Sequence, residues 1–132
     1  MQQFIGKINL QEYDNSRWSL LSDFSYENNK YIITCGTNFI TDGASIPKVM
    51  WSIIGSPMER DLLKPAIIHD GLYTIMSLDR HECDDLLKEM LLFNKVPEEK
   101  IFAIYEAVHL FGGTHWEKDS SDQAQLITIT IK

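Results

Sequence analysis

The stretch Ala66-Ile67-Ile68-His69-Asp70-Gly71-Leu72-Tyr73 combines core-type residues with a histidine, a carboxylate and a tyrosine. A second run, Arg80-His81-Glu82-Cys83-Asp84, follows after a short break. The spacing of apolar residues in both runs predicts helices. On a helix His69 and Tyr73 share one face, while Asp70 points about 100° round the axis, toward a loop or a cleft edge. We therefore expect two helices that carry polar side chains between them.

Four helices are expected in the middle and at the end of the chain. Pro65 suits the first turn of a helix, so it separates the first predicted helix from the second. Ser77 or Asp79 is a suitable cap for the third, and acids at the start with glycines after the end mark the fourth. The predicted ranges are Met58 to Leu63, Ala66 to Met76, roughly Arg80 to Phe93, and Pro97 to the Gly112-Gly113 pair.

Extended segments are expected on either side of these helices. Turn-forming residues at 14–16 and 27–30 separate three N-terminal candidates, and the last segment alternates apolar with polar residues. The predicted strands are Phe4 to Leu10, Trp18 to Tyr26, Tyr31 to Thr34 and Gln125 to Ile131. This pattern predicts one α+β domain over residues 1–132. An N-terminal antiparallel meander is joined by the C-terminal strand, with three to four helices packed on the sheet.

Net charge, apolar run length and cysteine content argue against several classes of protein. The chain has 132 residues and a net charge of −7, which argues against a nucleic-acid groove, since that needs a basic face. No apolar run approaches the length of a membrane span, and the start has no signal-peptide pattern. Cys35 and Cys83 form no disulfide framework. A reduced intracellular chain is the simpler interpretation, with a single bridge left open.

Asp84 is the acid that most requires a partner. Leu87 and Leu91 lie three and seven residues further on, so Asp84 falls on the apolar face of its helix. A carboxylate on a buried face is costly unless it is paired. Two partners are open: His69, which Asp84 would hold in one tautomer as a general base, or Arg80 in a purely structural pair at a helix start.

The segment Thr41-Asp42-Gly43-Ala44-Ser45-Ile46-Pro47 is a turn rich in small residues. Together with Asp70, the carboxylate of Asp42 offers the oxygen ligands that Ca²⁺ or Mg²⁺ prefers. Ser45 is a candidate for orienting a substrate, while the absence of a Gly-x-Ser-x-Gly motif disfavours it as a nucleophile. A simple turn closed by a hydrogen bond from Asp42 is the competing interpretation.

The other histidines carry weaker signals. His81 at a helix start is expected to be solvated. His109 either lines a cleft or packs in the core, and core packing is favoured. No pair has the short spacing of a zinc site.

A larger set of residues resembles a small bacteriophage and prophage family of unknown function, over about the last two thirds of the chain. The residues that carry the resemblance are Phe39 to Pro47, Trp51, His69 to Tyr73, Arg80, Cys83-Asp84, Tyr105 to Val108, Gly112 and Trp116. The resemblance implies a phage or prophage origin and no particular activity.

The pattern His69-Asp70-x-x-Tyr73, followed by a helical Asp84, is also similar to the core of the calcium-dependent phospholipases that cleave the sn-2 ester. That resemblance implies that His69 activates water, Asp70 binds calcium, Tyr73 buttresses the site and Asp84 orients His69. The glycine-rich calcium loop of that family is absent, and Thr41 to Ser45 would have to replace it.

Two functions from different classes follow. The first is a metal-dependent hydrolase of a lipid or other small-molecule ester, with His69 and Asp84 as catalytic residues, and Tyr73, Arg80 and Ser45 placing the substrate. The second is a non-catalytic virion or host-interaction protein in which the polar cluster is structural; the acidic charge and the aromatic side chains of Trp51 and Trp116 suit such an interaction surface. Either would act in the cytoplasm of the bacterial host or in the virion.

Overall fold

A computed structural model describes residues 1–15, 17–41, 59–111 and 121–132. Its strands are β1 (Gln3–Ile5), β2 (Leu10–Glu12), β3 (Trp18–Leu20), β4 (Phe24–Glu27), β5 (Tyr31–Cys35), β6 (Ile40–Thr41) and β7 (Ile127–Ile131). Its helices are α1 (Arg60–Ile75), α2 (Arg80–Phe93), α3 (Glu98–Phe111) and α4 (Ser121–Ala124). The predicted α+β class is confirmed.

The strands form two antiparallel sheets rather than one meander. One sheet has the order β1-β4-β5-β7 and the other the order β2-β3-β6. The predicted strands Phe4 to Leu10 and Trp18 to Tyr26 are therefore each divided between the sheets. Gly6, with a φ of 100°, adopts a backbone conformation that favours glycine and ends β1. The alternation of apolar residues was visible in the sequence, but the change of sheet was not.

The C-terminal strand joins the N-terminal sheet as predicted. β7 pairs with β5 along its whole length, from Tyr31 opposite Ile131 to Cys35 opposite Ile127. Alternate residues of β5 are buried beneath the helices, whereas Thr128 and Thr130 of β7 face solvent. Period-2 alternation on a half-buried strand explains why this element could be predicted from sequence.

The predicted break at Pro65 is wrong, because α1 runs through it without interruption. Proline has no N–H, so the carbonyl of Asp61 loses its helical donor. The side chain of Asn94 replaces that donor, with Nδ2 lying 3.0 Å from Asp61 O. This compensation comes from a residue 33 positions away. Met58, where the first helix was predicted to begin, lies outside the described residues.

Helix α1 packs on strands β5 and β7 of the four-stranded sheet and on α2, and α2 packs in turn on α3. Gly71 permits the close approach to the sheet, because a Cβ there would lie 2.5 Å from the sulfur of Cys35. The predicted cap of α2 is confirmed, since Asp79 Oδ1 accepts a hydrogen bond from the backbone N–H of Glu82 at 2.7 Å. Helices α1 and α2 pack against each other, and His69 and Asp84 meet across that contact.

Candidate functional site

The centre of the site is a buried pair formed by His69 on α1 and Asp84 on α2. Both side chains are 0% exposed, and His69 Nε2 donates to Asp84 Oδ1 at 2.8 Å. Leu87 and Leu91 are buried on the same helix as Asp84, as their spacing predicted. Of the two partners that the sequence left open for Asp84, the structure pairs it with His69.

Tyr73 supplies a second donor to the same carboxylate oxygen. It lies one turn after His69, the two ring centroids are 4.3 Å apart, and its hydroxyl donates to Asp84 Oδ1 at 2.5 Å. Burial, together with the hydrogen bond to Asp84, raises the pKa of the Tyr73 hydroxyl. Tyr73 therefore keeps its proton at neutral pH and acts as a permanent donor.

Asp84 is ionised in this environment. Burial alone would raise the pKa of the carboxyl, but the hydrogen bond and charge of His69, with the bonds from Tyr73 and His109, outweigh burial and lower it. A buried carboxylate that stays charged needs such a complete set of donors.

Arg80 does not form the direct pair with Asp84 that was the alternative, because its side chain bonds to other groups of the described residues. Its Nε donates to the hydroxyl of Tyr73 at 3.2 Å. Its Nη2 donates to the backbone carbonyls of Val108, at 3.0 Å, and His109. These carbonyls lie at the end of α3, where backbone acceptors lack helical donors. Arg80 thus ties the end of α3 to Tyr73.

His109 also lies at the candidate site, although its sequence context did not predict this. Core packing was favoured, but its side chain is 45% exposed and Nδ1 lies 3.4 Å from Asp84 Oδ2. Its ring stacks on that of Tyr105, with centroids 5.9 Å apart and planes 5° from parallel. The i, i+4 spacing of the two rings was visible in the sequence. Nothing in that spacing indicated that α3 would bring the histidine to Asp84.

Asp70 is the one proposed metal ligand that the structure describes. It is half-buried on α1, and its backbone carbonyl accepts a hydrogen bond from Thr74 Oγ1 at 2.8 Å. Burial, reinforced by the charge of Asp70, raises the pKa of the Cys35 thiol. Within the four described ranges, no three His, Cys, Asp or Glu side chains converge on a point that could hold a metal ion.

Of the other residues that the sequence singled out, some are described by the structure and some are not. Cys35 and Cys83 are buried free thiols, so the single bridge left open by the sequence is not formed. His81 is exposed, as predicted, with Nε2 3.3 Å from Asp85. Asp42, Ser45, Trp51 and Trp116 lie outside the described residues. The structure therefore brings together His69, Tyr73, Arg80 and Asp84 of the predicted set.

Comparison with known proteins identifies relatives of this chain. Residues 18–108 match the family described as a protein of unknown function (DUF1353). The uncharacterized proteins y4jT and y4iH of Sinorhizobium fredii are 38% identical over 98 residues and 32% identical over 77 residues. The matches cover 72% and 54% of this chain but 29% and 30% of the relatives, so the chain spans less than a third of their length.

No solved structure matches the chain. Among the helices in the described parts of the chain, none is long and apolar enough to cross a membrane.

Proposed function

We propose a function for this chain, which belongs to the DUF1353 family, from the chemistry of its own site: it hydrolyses an ester, with His69 as the general base. The observation that carries the proposal is the 2.8 Å hydrogen bond from His69 Nε2 to Asp84 Oδ1. Because Nε2 donates to the carboxylate, the neutral ring holds its lone pair on Nδ1. Nδ1 is then the atom that removes a proton from an attacking water.

Asp84 contributes in two ways in this mechanism. It fixes the tautomer and the orientation of the imidazole, and its negative charge stabilises the imidazolium formed when His69 takes the proton. The same proton is then available for the leaving group. General acid–base catalysis of this kind contributes about 10²- to 10⁴-fold to a rate. Tyr73 supports the arrangement by holding the carboxylate oxygen that faces His69.

The substrate class remains the ester predicted from the sequence, of a lipid or of another small molecule. Arg80 and Ser45 are proposed to orient it. The support for Arg80 is its position at the candidate site, because its guanidinium bonds both to Tyr73 and to the end of α3. For Ser45 the support is its position in the Thr41 to Pro47 segment alone.

A Ca²⁺ or Mg²⁺ ion at Asp70 is a separate part of the proposal. Because no metal-binding group of three side chains forms within the described parts of the chain, such an ion would also need Asp42. The proposed proton transfers depend on His69 and Asp84 and not on Asp70. Thermal unfolding of the wild type and Asp70→Asn in increasing Ca²⁺ or Mg²⁺ tests it: stabilisation that is lost in the variant supports the site. Equal shifts in both proteins argue against it.

The second candidate function is non-catalytic, and a specific observation favours it. Both His69 and Asp84 are 0% exposed, which suits a polar network that fixes helix packing in a virion or host-interaction protein. Under this alternative, substitution of His69 lowers the melting temperature without changing any reaction. The phage or prophage setting, in the host cytoplasm or the virion, rests on the sequence resemblance under either function.

The deciding experiment is hydrolysis of an ester panel by the wild type, His69→Gln, Asp84→Asn and His81→Gln. The panel contains p-nitrophenyl esters of increasing chain length and phospholipid vesicles. We expect at least a 100-fold loss of kcat for His69→Gln and Asp84→Asn, and wild-type rates for His81→Gln, whose side chain is exposed. Wild-type turnover by His69→Gln would contradict the proposal. Circular dichroism confirms that each variant is folded.

A further inference from the structure

We infer that His109 is a positioning residue for the His69–Asp84 pair: it fixes the second carboxylate oxygen and closes the pair off from water. The catalytic consequence of this inference rests on the proposed function. The positioning role itself concerns only the contacts of Asp84, so the effect of His109 on the His69–Asp84 hydrogen bond can be measured without a substrate.

The two oxygens of Asp84 have different partners. Oδ1 accepts from His69 Nε2 and from the hydroxyl of Tyr73, whereas Oδ2 faces His109 Nδ1 at 3.4 Å. Rotation of a carboxylate about its Cβ–Cγ bond is soft and would exchange the two oxygens. A donor on Oδ2 resists that rotation and keeps Oδ1 directed at His69. The orientation of His69 thus depends on both oxygens.

His109 is held in place although it is partly exposed. Its ring stacks on that of Tyr105 one turn earlier, and Arg80 donates to its backbone carbonyl. An exposed side chain held in one rotamer loses conformational entropy, which these contacts have to offset. The ring is therefore fixed over Asp84 by groups from both α2 and α3.

The position of His109 also places it between the buried pair and solvent. Asp84 is 0% exposed, and the imidazole that touches its outer oxygen is 45% exposed. Removing the ring opens a path for water to Oδ2. Water at the carboxylate competes for its hydrogen bonds and weakens the bond to His69.

The test follows the His69 Nε2 proton by NMR in protein labelled with ¹⁵N-histidine, the signal being assigned by its loss in His69→Gln. We expect a slowly exchanging proton in the wild type and in the control Tyr13→Phe, whose side chain is exposed and, within the described parts of the chain, has no recorded contact with His109 or Asp84. In His109→Ala its exchange with water should be at least tenfold faster. His109→Asn, which retains a donor near the position of Nδ1, should restore at least half of that change on a logarithmic scale.

Several outcomes would overturn the inference. These are wild-type exchange in His109→Ala, no restoration in His109→Asn, and a wild-type protein in which the His69 Nε2 proton already exchanges too fast to observe. If His109→Ala does not fold, His109→Phe takes its place, because it retains the ring that stacks on Tyr105 but has no ring nitrogen. Faster exchange in His109→Phe supports the inference, and wild-type exchange rejects it.

Failure of the inference and failure of the proposed function are distinguishable. If no ester is hydrolysed but His109→Ala accelerates the exchange, the proposed function fails and the positioning role stands. If hydrolysis depends on His69 while His109→Ala exchanges like the wild type, the reverse holds. In an active enzyme, His109→Ala should lower kcat at least tenfold with little change in KM, and His109→Asn should recover part of that loss.

Discussion

Replacing Tyr73 by Phe removes a single oxygen atom from the buried cluster of His69, Tyr73 and Asp84. The hydroxyl of Tyr73 donates to Asp84 Oδ1 at 2.5 Å and accepts from Arg80 Nε at 3.2 Å. A hydrogen bond to a charged group contributes about 1.5–3 kcal/mol, and Arg80 is close enough to solvent to find water in its place. We therefore expect Tyr73→Phe to lower the free energy of unfolding by about 2 kcal/mol at pH 7. For a chain of this size that corresponds to a fall in Tm of about 7 °C.

The effect of Tyr73→Phe should depend on pH in a defined direction. The pKa of Asp84 is lowered in the folded protein, because its donors outweigh the effect of burial. Its contribution to stability is therefore present above the ordinary carboxyl pKa, about 4, and is lost as the pH falls through the lowered folded value. Since Tyr73 helps to lower that pKa, the difference between wild type and variant should be largest at neutral pH. It should shrink below about pH 4.

Urea denaturation of both proteins at several values between pH 3 and pH 7 measures this difference. Tyr13→Phe is the matched control, because Tyr13 is exposed, and its effect should stay within about 0.5 kcal/mol. If Tyr73→Phe lowers the free energy of unfolding by less than about 0.5 kcal/mol at pH 7, or by an amount that does not change with pH, the reasoning is refuted.

Two further predictions concern the contacts that place the helices. Gly71→Ala should lower the free energy of unfolding by about 1–3 kcal/mol, because the new Cβ would lie 2.5 Å from the Cys35 sulfur. In a double-mutant cycle by urea denaturation the loss should shrink in a Cys35→Ala background, and full additivity would contradict the steric explanation. Asn94→Ala should cost about 1 kcal/mol, because it removes the donor to Asp61 O. Its cost should fall when Pro65→Ala restores a backbone N–H, whereas an unchanged cost would argue against that explanation.

The elements that the sequence predicted correctly are those governed by local pattern. Helix α2 with its cap at Asp79, and the alternating strand β7, depend on side chains a few residues apart. The burial of Asp84 was equally local, because its apolar neighbours repeat on one helix face. Its partner could be narrowed to His69 or Arg80, because a buried carboxylate is costly unless a hydrogen-bond donor or a positive charge lies beside it.

The features that could not be predicted depend on residues distant in sequence. Helix α1 continues through Pro65 because Asn94 replaces a lost donor, and no local rule contains that contact. His109 reaches Asp84 because α3 packs against α2, which a helical periodicity does not specify. The division of the N-terminal strands between two sheets likewise depends on pairing with strands that are distant in sequence.

The carboxylate of Asp84 is the point at which three helices meet through hydrogen bonds. Its donors come from α1, as His69 and Tyr73, and from α3, as His109, while Asp84 itself lies on α2. Any substitution that disorients the proposed base therefore also loosens helix packing, so a loss of activity alone cannot separate catalysis from folding. Isosteric changes that keep the packing volume and alter only a charge or a donor separate the two, because packing and proton transfer respond to them differently. If Asp84→Asn keeps the helices together and abolishes turnover, this carboxylate serves the proposed base through its charge and its orientation of the imidazole, and not only through helix packing.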